Sequence, residues 1–341
     1  MTLCSQCIIP STARGISFNP MGLCNLCANY KKKRLAGIEE LNKIINATVS
    51  NGPEFNCVVP VSGGRDSAYA LFFAKRILGL RPIALHNDND FETEAAKANL
   101  KRMEVELNVP LIKTSSRNKL SMKIVTEKLK MNLPFGPALI LDQTCEACKY
   151  GFESAAYNTA KRYKLKIVIW GDSQNESTAD FYWLNKHKSP SIKDRILSGK
   201  ALNLIRYKYF FSQLKKEYGS NQPEGLMEIH LYDFIEWDRK TILETITKEM
   251  KWQKPQESAT SWRTDCRLVP LVNSLTDKAY GVSKFELGFS SMIRSGKMTR
   301  AEALGQINEM NKISNIPQLK ILLKEMGVSN NEIRNLLVDM Q

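Results

Sequence analysis

The chain has 341 residues, of which 43% are apolar and 25% are charged, which is the composition of a globular protein with one large core and small additions. No run of about 18 apolar residues is present, so the sequence predicts no membrane span. The N-terminus lacks a signal-peptide pattern, and we therefore expect a cytoplasmic protein. The formal net charge of +14 suits polyanionic partners such as RNA, nucleotides or nucleotide sugars, and equally a lysine-rich solvated surface.

Residues 1–30 carry two C-x-x-C pairs separated by sixteen residues, formed by Cys4, Cys7, Cys24 and Cys27. This spacing is typical of a zinc ribbon. Because so short a segment has few apolar residues, four thiolates on one Zn²⁺ would supply its folding energy. The alternative is two reduced pairs without metal.

Residues 31–54 read as a charged linker helix, and strands then alternate with helices through residues 55–283, which predicts an α/β domain with a parallel, doubly wound sheet. The predicted strands are Cys57–Val61, Pro82–His86, Pro110–Lys113 and Lys166–Trp170. The predicted helices are Ala68–Leu78, Glu92–Leu107 and Lys119–Met131, with another centred on Glu153–Arg162.

Two further regions complete the predicted organisation. The basic and aromatic stretch at about 178–235 is interpreted as an insertion, and its aromatic residues belong either to the core or to a base-stacking surface. They are Phe181, Tyr182, Trp183, Tyr207, Tyr209, Phe210 and Phe211. Residues 284–341 form a C-terminal helical region, marked by the capping boxes Thr299-x-x-Glu302 and Ser329-x-x-Glu332.

The stretch Ser62-Gly63-Gly64-Arg65-Asp66-Ser67 lies at the first strand-to-helix corner. Glycines allow close backbone approach, and a helix N-terminus attracts anions, so the loop predicts a phosphate site. It matches neither the Walker spacing nor G-x-G-x-x-G. Ligands of parallel sheets bind at the carboxyl ends of the strands. The other residues expected in this cleft are Val61, His86, Asn87, Asp88, Gly171, Asp172 and Ser173, with Glu176 as a further substrate-orienting candidate.

Cys145, Cys148 and the distant Cys266 form a second cysteine set. Three thiols without a fourth ligand suit an iron–sulfur cluster with one open iron, a zinc site, catalytic thiols or plain structural cysteines. Cys145 and Cys148 open a predicted helix, whose dipole would favour thiolates, and Cys266 is expected on a loop over the cleft. Cys57 is expected in the core. His187 and His230 read as surface residues, and no Ser/His/Asp set can be assembled.

The hexamer Ser62–Ser67 resembles the SGG-x-DS loop of the N-type ATP pyrophosphatases, the PP-loop superfamily. The resemblance implies that ATP is split into AMP and pyrophosphate, with the loop holding pyrophosphate and the substrate carried as an adenylate. Arg65 stands where many members have lysine, and it keeps a positive charge with a fork of donors suited to phosphate. Asp66 is the candidate Mg²⁺ ligand, or a cap for a helix starting at Ser67.

Most of the chain resembles the N-acetyl sugar amidotransferases of surface-polysaccharide (lipopolysaccharide) biosynthesis. The matching segments are CSQCIIPSTARGISFNPMGLCNLCANY, VPVSGGRDSAYAL, NDFETEAAKANL, CEACKYG, TDCRLVPL and YGVSKFELGFSSMIRSGKMTRAEAL. This resemblance implies conversion of an acetamido group of a nucleotide-linked sugar into an acetamidino group, with ATP, Mg²⁺ and Zn²⁺. Since no glutaminase motif is visible, it also implies a separate glutaminase that supplies ammonia.

A second resemblance is to the tRNA-thiolating sulfurtransferases of the same superfamily. They also combine a cysteine zinc ribbon with this loop, and they hold a 4Fe–4S cluster with one C-x-x-C pair and a later cysteine, as Cys145, Cys148 and Cys266 are arranged here. That interpretation makes tRNA the partner. The C-terminal segment YGVSKFELGFSSMIRSGKMTRAEAL favours the sugar enzyme. A zinc-ribbon binding module with a degenerate ATP site is a third interpretation, which the intact loop disfavours.

Overall fold

A five-stranded parallel sheet lies at the centre of the protein. The structure is a computed structural model that describes residues 2–32, 34–49, 54–141, 145–172, 190–219, 222–255, 258, 260–311 and 316–337. The strands are β1 Cys57–Pro60, β2 Pro82–Asp88, β3 Leu111–Ser115, β4 Ile167–Trp170 and β5 Met227–His230, in the order β3-β2-β1-β4-β5. The predicted α/β class and parallel sheet are confirmed.

Helices pack around this sheet and are numbered here in chain order. They are α1 Asn25–Ala28, α2 Ile38–Thr48, α3 Arg65–Phe72, α4 Glu94–Leu107, α5 Leu120–Asn132, α6 Pro137–Leu141, α7 Glu146–Arg162, α8 Ile192–Leu197, α9 Ala201–Tyr218, α10 Arg239–Met250, α11 Val269–Tyr280, α12 Lys284–Arg294, α13 Arg300–Asn311, α14 Ile316–Glu325 and α15 Asn330–Leu337. Helix α3 continues into one π-helical turn, Phe73–Ile77.

Both faces of the sheet are covered, as its sequence requires. Strand β1 is buried along its whole length, and such continuous apolar runs are typical of parallel strands with helices on either side. Successive side chains point to opposite faces, so Val58 and Val59 belong to different hydrophobic clusters. Helices α3, α4 and α10 pack on one side, while α5, α7 and α9 pack on the other.

The strand order reverses between β1 and β4. Strands β2 and β3 follow on one side of β1, whereas β4 and β5 lie on the other side. At such a switch point the loops leaving two adjacent strands diverge and open a crevice at their carboxyl ends. The loop after β1 is Ser62–Ser67, and the residues after β4 are Gly171 and Asp172, so the fold brings these two predicted groups to one crevice.

The stretch predicted as an insertion contributes to the sheet itself. Strand β5 lies within it and pairs with β4 over four residues, from Ile167↔Met227 to Trp170↔His230. Tyr207, Phe210 and Phe211 pack partly buried against the core, whereas Tyr209 is 59% exposed. Phe181, Tyr182, Trp183, Ser173, Glu176 and His187 lie outside the described residues.

The cysteine-rich N-terminal unit packs against the C-terminal helices and forms hydrogen bonds with them. Arg14 donates its backbone N–H to Tyr280 at 2.7 Å, and Arg300 donates its Nε to the carbonyl of Cys7 at 3.1 Å. Both predicted capping boxes form, with Glu302 and Glu332 accepting from the backbone of Thr299 and Ser329. Among the helices that the structure describes, none is long and apolar enough to cross a membrane.

Candidate functional site: a cysteine cluster and the carboxyl edge of the sheet

The four N-terminal cysteines converge on one point. Their sulfur atoms lie within 4.8 Å of one another and all four side chains are buried. The Sγ atoms of Cys4 and Cys27 are 3.8 Å apart, and those of Cys7 and Cys24 are 3.7 Å apart. These separations exceed a disulfide, and they match the edge of a tetrahedron of thiolates with Zn–S distances of about 2.3 Å.

The electrostatics of this cluster also favour a cation. Hydrogen bonds with Cys24 and Cys27 lower the pKa of Cys7 to about 2, while the neighbouring Cys24 and Cys7 thiols raise the pKa of Cys27. One thiolate therefore suppresses ionisation of its neighbours, and four thiolates need a positive ion among them. The donor set fits a structural zinc ion, held by Cys4, Cys7, Cys24 and Cys27.

The loop Ser62–Ser67 makes a tight turn that only glycine allows at its second position. Gly63 has φ of +81°, and a Cβ there would lie 2.5 Å from the carbonyl oxygen of Ala96. The loop thus passes directly over the backbone of α4. The Gly63 carbonyl accepts hydrogen bonds from Trp252 Nε1 at 3.0 Å and from Asn99 Nδ2 at 3.3 Å. This turn is consequently held rigidly from two sides.

The two serines of the loop close it against the start of α3. Ser67 Oγ accepts from the backbone N–H of Ser62 at 3.1 Å, and the hydroxyls of the two serines are 3.2 Å apart. Gly64 is the N-cap of α3, which begins at Arg65 rather than at Ala68, and this boundary excludes Asp66 as the cap. The first turn of an eight-residue helix therefore faces the switch-point crevice.

Arg65 lies inside the protein, away from the position expected of a phosphate ligand. Its guanidinium donates to both carboxylate oxygens of Asp66, at 2.9 and 2.7 Å, and to Ser261 Oγ at 3.2 Å. It also stacks over the rings of Trp262 and Trp237, with 4.2 and 4.9 Å between Cζ and the centroids. The forked side chain is used here to tie the loop to distant segments.

Asp66 takes part in the same network. Besides Arg65, its carboxylate accepts from Trp237 Nε1 at 2.9 Å, so a Mg²⁺ ion would compete with three protein donors for these oxygens. Gly171 brings the end of β4 against this turn. A Cβ at Gly171 would lie 2.7 Å from the carbonyl oxygen of Asp66, so glycine is required for this close approach.

His86 and Asn87, at the carboxyl end of β2, are buried and have protein partners. His86 Nδ1 donates to the carbonyl of Val61 at 2.8 Å, and its Nε2 contacts the carboxylate of Glu92. Asn87 Oδ1 accepts from the hydroxyls of Tyr218 at 2.6 Å and Thr114 at 2.9 Å. Their buried side chains are satisfied by protein groups, and their assignment to a nucleotide or substrate contact remains a prediction.

The second cysteine set does not converge on one point, and two of its three members line a pocket. Cys266 lies on a segment that pairs with Glu92, just after β2, and therefore folds over the carboxyl edge. Cys145 and Cys266 line one pocket together with Trp262 and residues of α11 and α12. As placed, the three thiols do not come within 4.8 Å of one another, so they do not surround a single zinc ion.

The protonation of this second set differs from the sequence-based expectation. Burial raises the pKa of Cys148 well above its ordinary value and that of Cys266 to about 12. For Cys148, loss of solvation thus opposes the thiolate that the helix dipole at the start of α7 was expected to favour. Cys57 is buried in β1, as predicted.

Sequence reasoning missed one pair of residues at this edge. His230, at the end of β5, bonds through Nδ1 to Asp172 Oδ1 at 2.7 Å, and this carboxylate raises the pKa of the histidine. His230 was expected on the surface because β5 was not recognised. The sequence offered only a weak signal for this contact, since Asp172 is 59% exposed and water can satisfy its carboxylate.

No protein-family model and no curated protein matches the chain. Among solved structures, the chain is similar to an NMN synthetase from Francisella tularensis, with 17% identity, a TM-score of 0.38, and coverage of 80% of this chain and 91% of that one. It is also similar to the U34-tRNA thiolase NcsA from Methanococcus maripaludis with its 4Fe–4S cluster, with 13% identity, a TM-score of 0.37, and coverage of 92% and 90%. Likeness at this level assigns no activity to this chain.

Proposed function

We propose that the protein is an ATP-dependent, AMP-forming amidotransferase that converts an acetamido group of a nucleotide-linked sugar into an acetamidino group. The observation that carries this proposal is the loop Ser62–Ser67, which has the sequence of a PP-loop and lies at the switch point of the sheet against the N-terminus of α3. Backbone N–H groups at such a position are suited to the charge that develops on pyrophosphate.

The chemistry explains why ATP would be needed. Ammonia cannot displace the oxygen of an acetamido group as hydroxide. Attack of that oxygen on the α-phosphorus of ATP forms an adenylate and releases pyrophosphate. Ammonia then adds to the imidate carbon, and AMP leaves with the former acetamido oxygen. In this proposal Mg²⁺ neutralises the phosphates, and a separate glutaminase supplies the ammonia.

Within this proposal the loop residues have two different tasks. Backbone N–H groups and hydroxyls of Ser62, Gly63, Gly64 and Ser67 would meet the phosphates, whereas Arg65 and Asp66 hold the loop in place through contacts with Trp237 and Trp262. We therefore expect phosphate binding to depend on the serines and glycines, and loop geometry to depend on Arg65.

Transfer of sulfur to tRNA is the second candidate. Cys145 and Cys266 lie on one pocket at the edge where the adenylate would form, as a sulfur-transfer site requires. The net charge of +14 also suits a polyanion. If this candidate is correct, anaerobically prepared protein contains iron and sulfide, and it binds bulk tRNA with a steep dependence on salt.

One experiment tests the amidotransferase directly. The full chain is incubated with ATP, Mg²⁺, ammonium and a panel of nucleotide-linked N-acetyl sugars, and pyrophosphate release and sugar mass are measured. We expect release only with the correct sugar, together with exchange of one oxygen for an NH group, and loss of both in Ser67→Ala. Sugar-independent release, or none across a broad panel, combined with binding of tRNA near physiological salt, would favour the thiolation candidate instead.

A further inference from the structure

A second concave surface, which we call the linker pocket, lies behind the loop. Three segments contribute its lining residues: the stretch between the cysteine unit and α2, the stretch after β5, and the stretch after α12. The lining residues are Tyr30, Lys32, Arg34, Leu35, Ala36, Tyr232, Asp233, Glu236, Ser295 and Lys297. Because residues 232–236 follow the end of β5, the linker pocket borders the carboxyl edge of the sheet. It lies apart from the pocket that Cys145 and Cys266 line.

The charges that line the linker pocket favour an anion. Lys32, Arg34 and Lys297 outnumber the carboxylates of Asp233 and Glu236. Lys32 and Arg34 are exposed, so they can reach a ligand that enters from solvent. The positive charge of the linker pocket therefore comes from two exposed side chains, Lys32 and Arg34, and from Lys297, whose Nζ atom is buried.

Lys297 is the decisive side chain. Its Nζ atom is buried and has no hydrogen-bond partner among the described residues. The ring of Trp237 lies 6.0 Å from Nζ, and the carboxylates of Glu236 and Asp238 act on the ammonium electrostatically without a hydrogen bond to it. Burial lowers the pKa of Lys297 below its ordinary value. A buried ammonium without an acceptor is unfavourable for folding, and a bound anion would relieve that cost.

The linker pocket shares a wall with the phosphate loop. The Trp237 ring that neighbours Lys297 also stacks on Arg65, 4.9 Å from its Cζ, and donates to Asp66. Tyr232 donates its hydroxyl to the carbonyl of Asp66 at 3.4 Å. An anion bound beside Lys297 would therefore lie near the turn that begins α3, with Trp237 as a neighbour that both share.

We propose that the linker pocket binds the diphosphate of a nucleoside-diphosphate ligand, with Lys297 as the buried cation and Lys32 and Arg34 as exposed ones. Two linked phosphates span from a buried cation to a charged rim, and Tyr30 supplies an aromatic surface for the attached nucleoside. Identifying this ligand with the nucleotide-linked sugar rests on the proposed function, whereas the anion site itself does not.

Calorimetric titration of the full chain with inorganic pyrophosphate and with uridine diphosphate, without ATP, tests the proposal. We expect Lys297→Met to weaken uridine diphosphate binding by about tenfold or more. The matched control is Lys240→Met, whose side chain is 84% exposed on α10, and it should bind as the wild type does. Ser67→Ala should weaken ATP binding and leave uridine diphosphate binding intact.

A melting curve separates a binding role from a structural one. Because Lys297→Met removes a buried, unpartnered charge, the ligand-free variant should melt at or above the wild-type temperature. The double variant Lys32→Gln/Arg34→Gln alters exposed residues only and should also weaken uridine diphosphate binding. The proposal is overturned if uridine diphosphate binds Lys297→Met or this double variant as tightly as wild type, or if Ser67→Ala alone abolishes its binding.

The outcome also distinguishes this site from the proposed activity. Protein that binds uridine diphosphate in a Lys297-dependent manner but forms no acetamidino sugar would contradict the amidotransferase and leave the anion site in place. If Lys297→Met forms the acetamidino sugar with unchanged kinetics, the amidotransferase is supported and the linker pocket is not where the nucleotide-linked sugar binds.

Discussion

Reactive side chains lie close together both in the cysteine cluster and at the carboxyl edge of the sheet. The side chains of the cysteine cluster are buried, whereas some of those at the carboxyl edge are accessible to solvent. In the cluster, four thiols are buried within 4.8 Å of one another, so all donors can be satisfied by one ion. At the carboxyl edge, Cys145 is exposed, and it lines a pocket together with Cys266. Four buried thiols on one ion mainly stabilise the fold, whereas thiols that line a pocket are accessible to substrates.

The largest expected loss of stability comes from removing one thiol of the N-terminal cysteine cluster. Cys24→Ser should release zinc and lower the free energy of unfolding by at least about 3 kcal/mol, because metal binding at such a site is also folding energy. Metal analysis and denaturant unfolding measure both. Cys57→Ala, which alters a buried cysteine inside β1, should keep the zinc. Retention of zinc by Cys24→Ser would remove the distinction between the two regions.

The second-largest expected loss of stability comes from a substitution in the turn Ser62–Ser67 at the carboxyl edge. Gly63→Ala should cost about 2–4 kcal/mol and abolish ATP binding, because its Cβ would collide with the Ala96 backbone at positive φ. Gly79→Ala is the matched control, since Gly79 has φ of +63° but nothing within 4 Å of a Cβ. That control should cost only about 1–2 kcal/mol. Equal losses in the two variants would show that the close approach to α4 is unimportant.

Arg65→Lys separates loop positioning from phosphate contact. Lysine loses the fork that binds Asp66 and the planar stack on Trp262, so we expect a loss of about 1–3 kcal/mol in stability. At a temperature where the variant is folded, its KM for ATP should change little. Unchanged stability with a much higher KM would instead place Arg65 on a phosphate.

Cys266→Ser tests the open region with little effect on the fold. We expect less than about 1 kcal/mol of destabilisation and retention of zinc. If the three cysteines hold a cluster, colour and activity should be lost together. Anaerobic iron and sulfide analysis with a visible spectrum then decides between a cluster and free thiols. Full activity in a colourless, iron-free Cys266→Ser protein would reduce this set to structural residues.

The smallest expected effect is a pH dependence at Asp172 and His230. Since Asp172 raises the pKa of His230 above 6.5, the pair stabilises the fold at low pH and loses this contribution as pH rises through the raised pKa. Both side chains are more than one-third exposed, so Asp172→Asn should cost under about 1 kcal/mol between about pH 5 and 6, and almost nothing above about pH 8. A larger cost at high pH would contradict this sign.

The sequence was informative wherever local pattern decides structure. The first four strands, the phosphate loop between β1 and α3, and the capping boxes at Thr299 and Ser329 follow from spacing and burial within short windows. Strand β5 was missed because the apolar–polar alternation of Met227–His230 covers only four residues, which is too short a window to stand out after a long aromatic helix. The direction of Arg65 was also beyond local reasoning, since Trp237, Ser261 and Trp262 come from segments far along the chain.

The central claim is that the loop Ser62–Ser67 serves a reaction in which ATP takes the oxygen of an acetamido group. The most direct test labels that oxygen of the substrate sugar with a heavy isotope and follows it by phosphorus NMR and mass spectrometry in the presence of ATP, Mg²⁺ and ammonium. The account predicts equal amounts of AMP and pyrophosphate, with the label in AMP. Formation of ADP and phosphate, or AMP that carries no label, would contradict it.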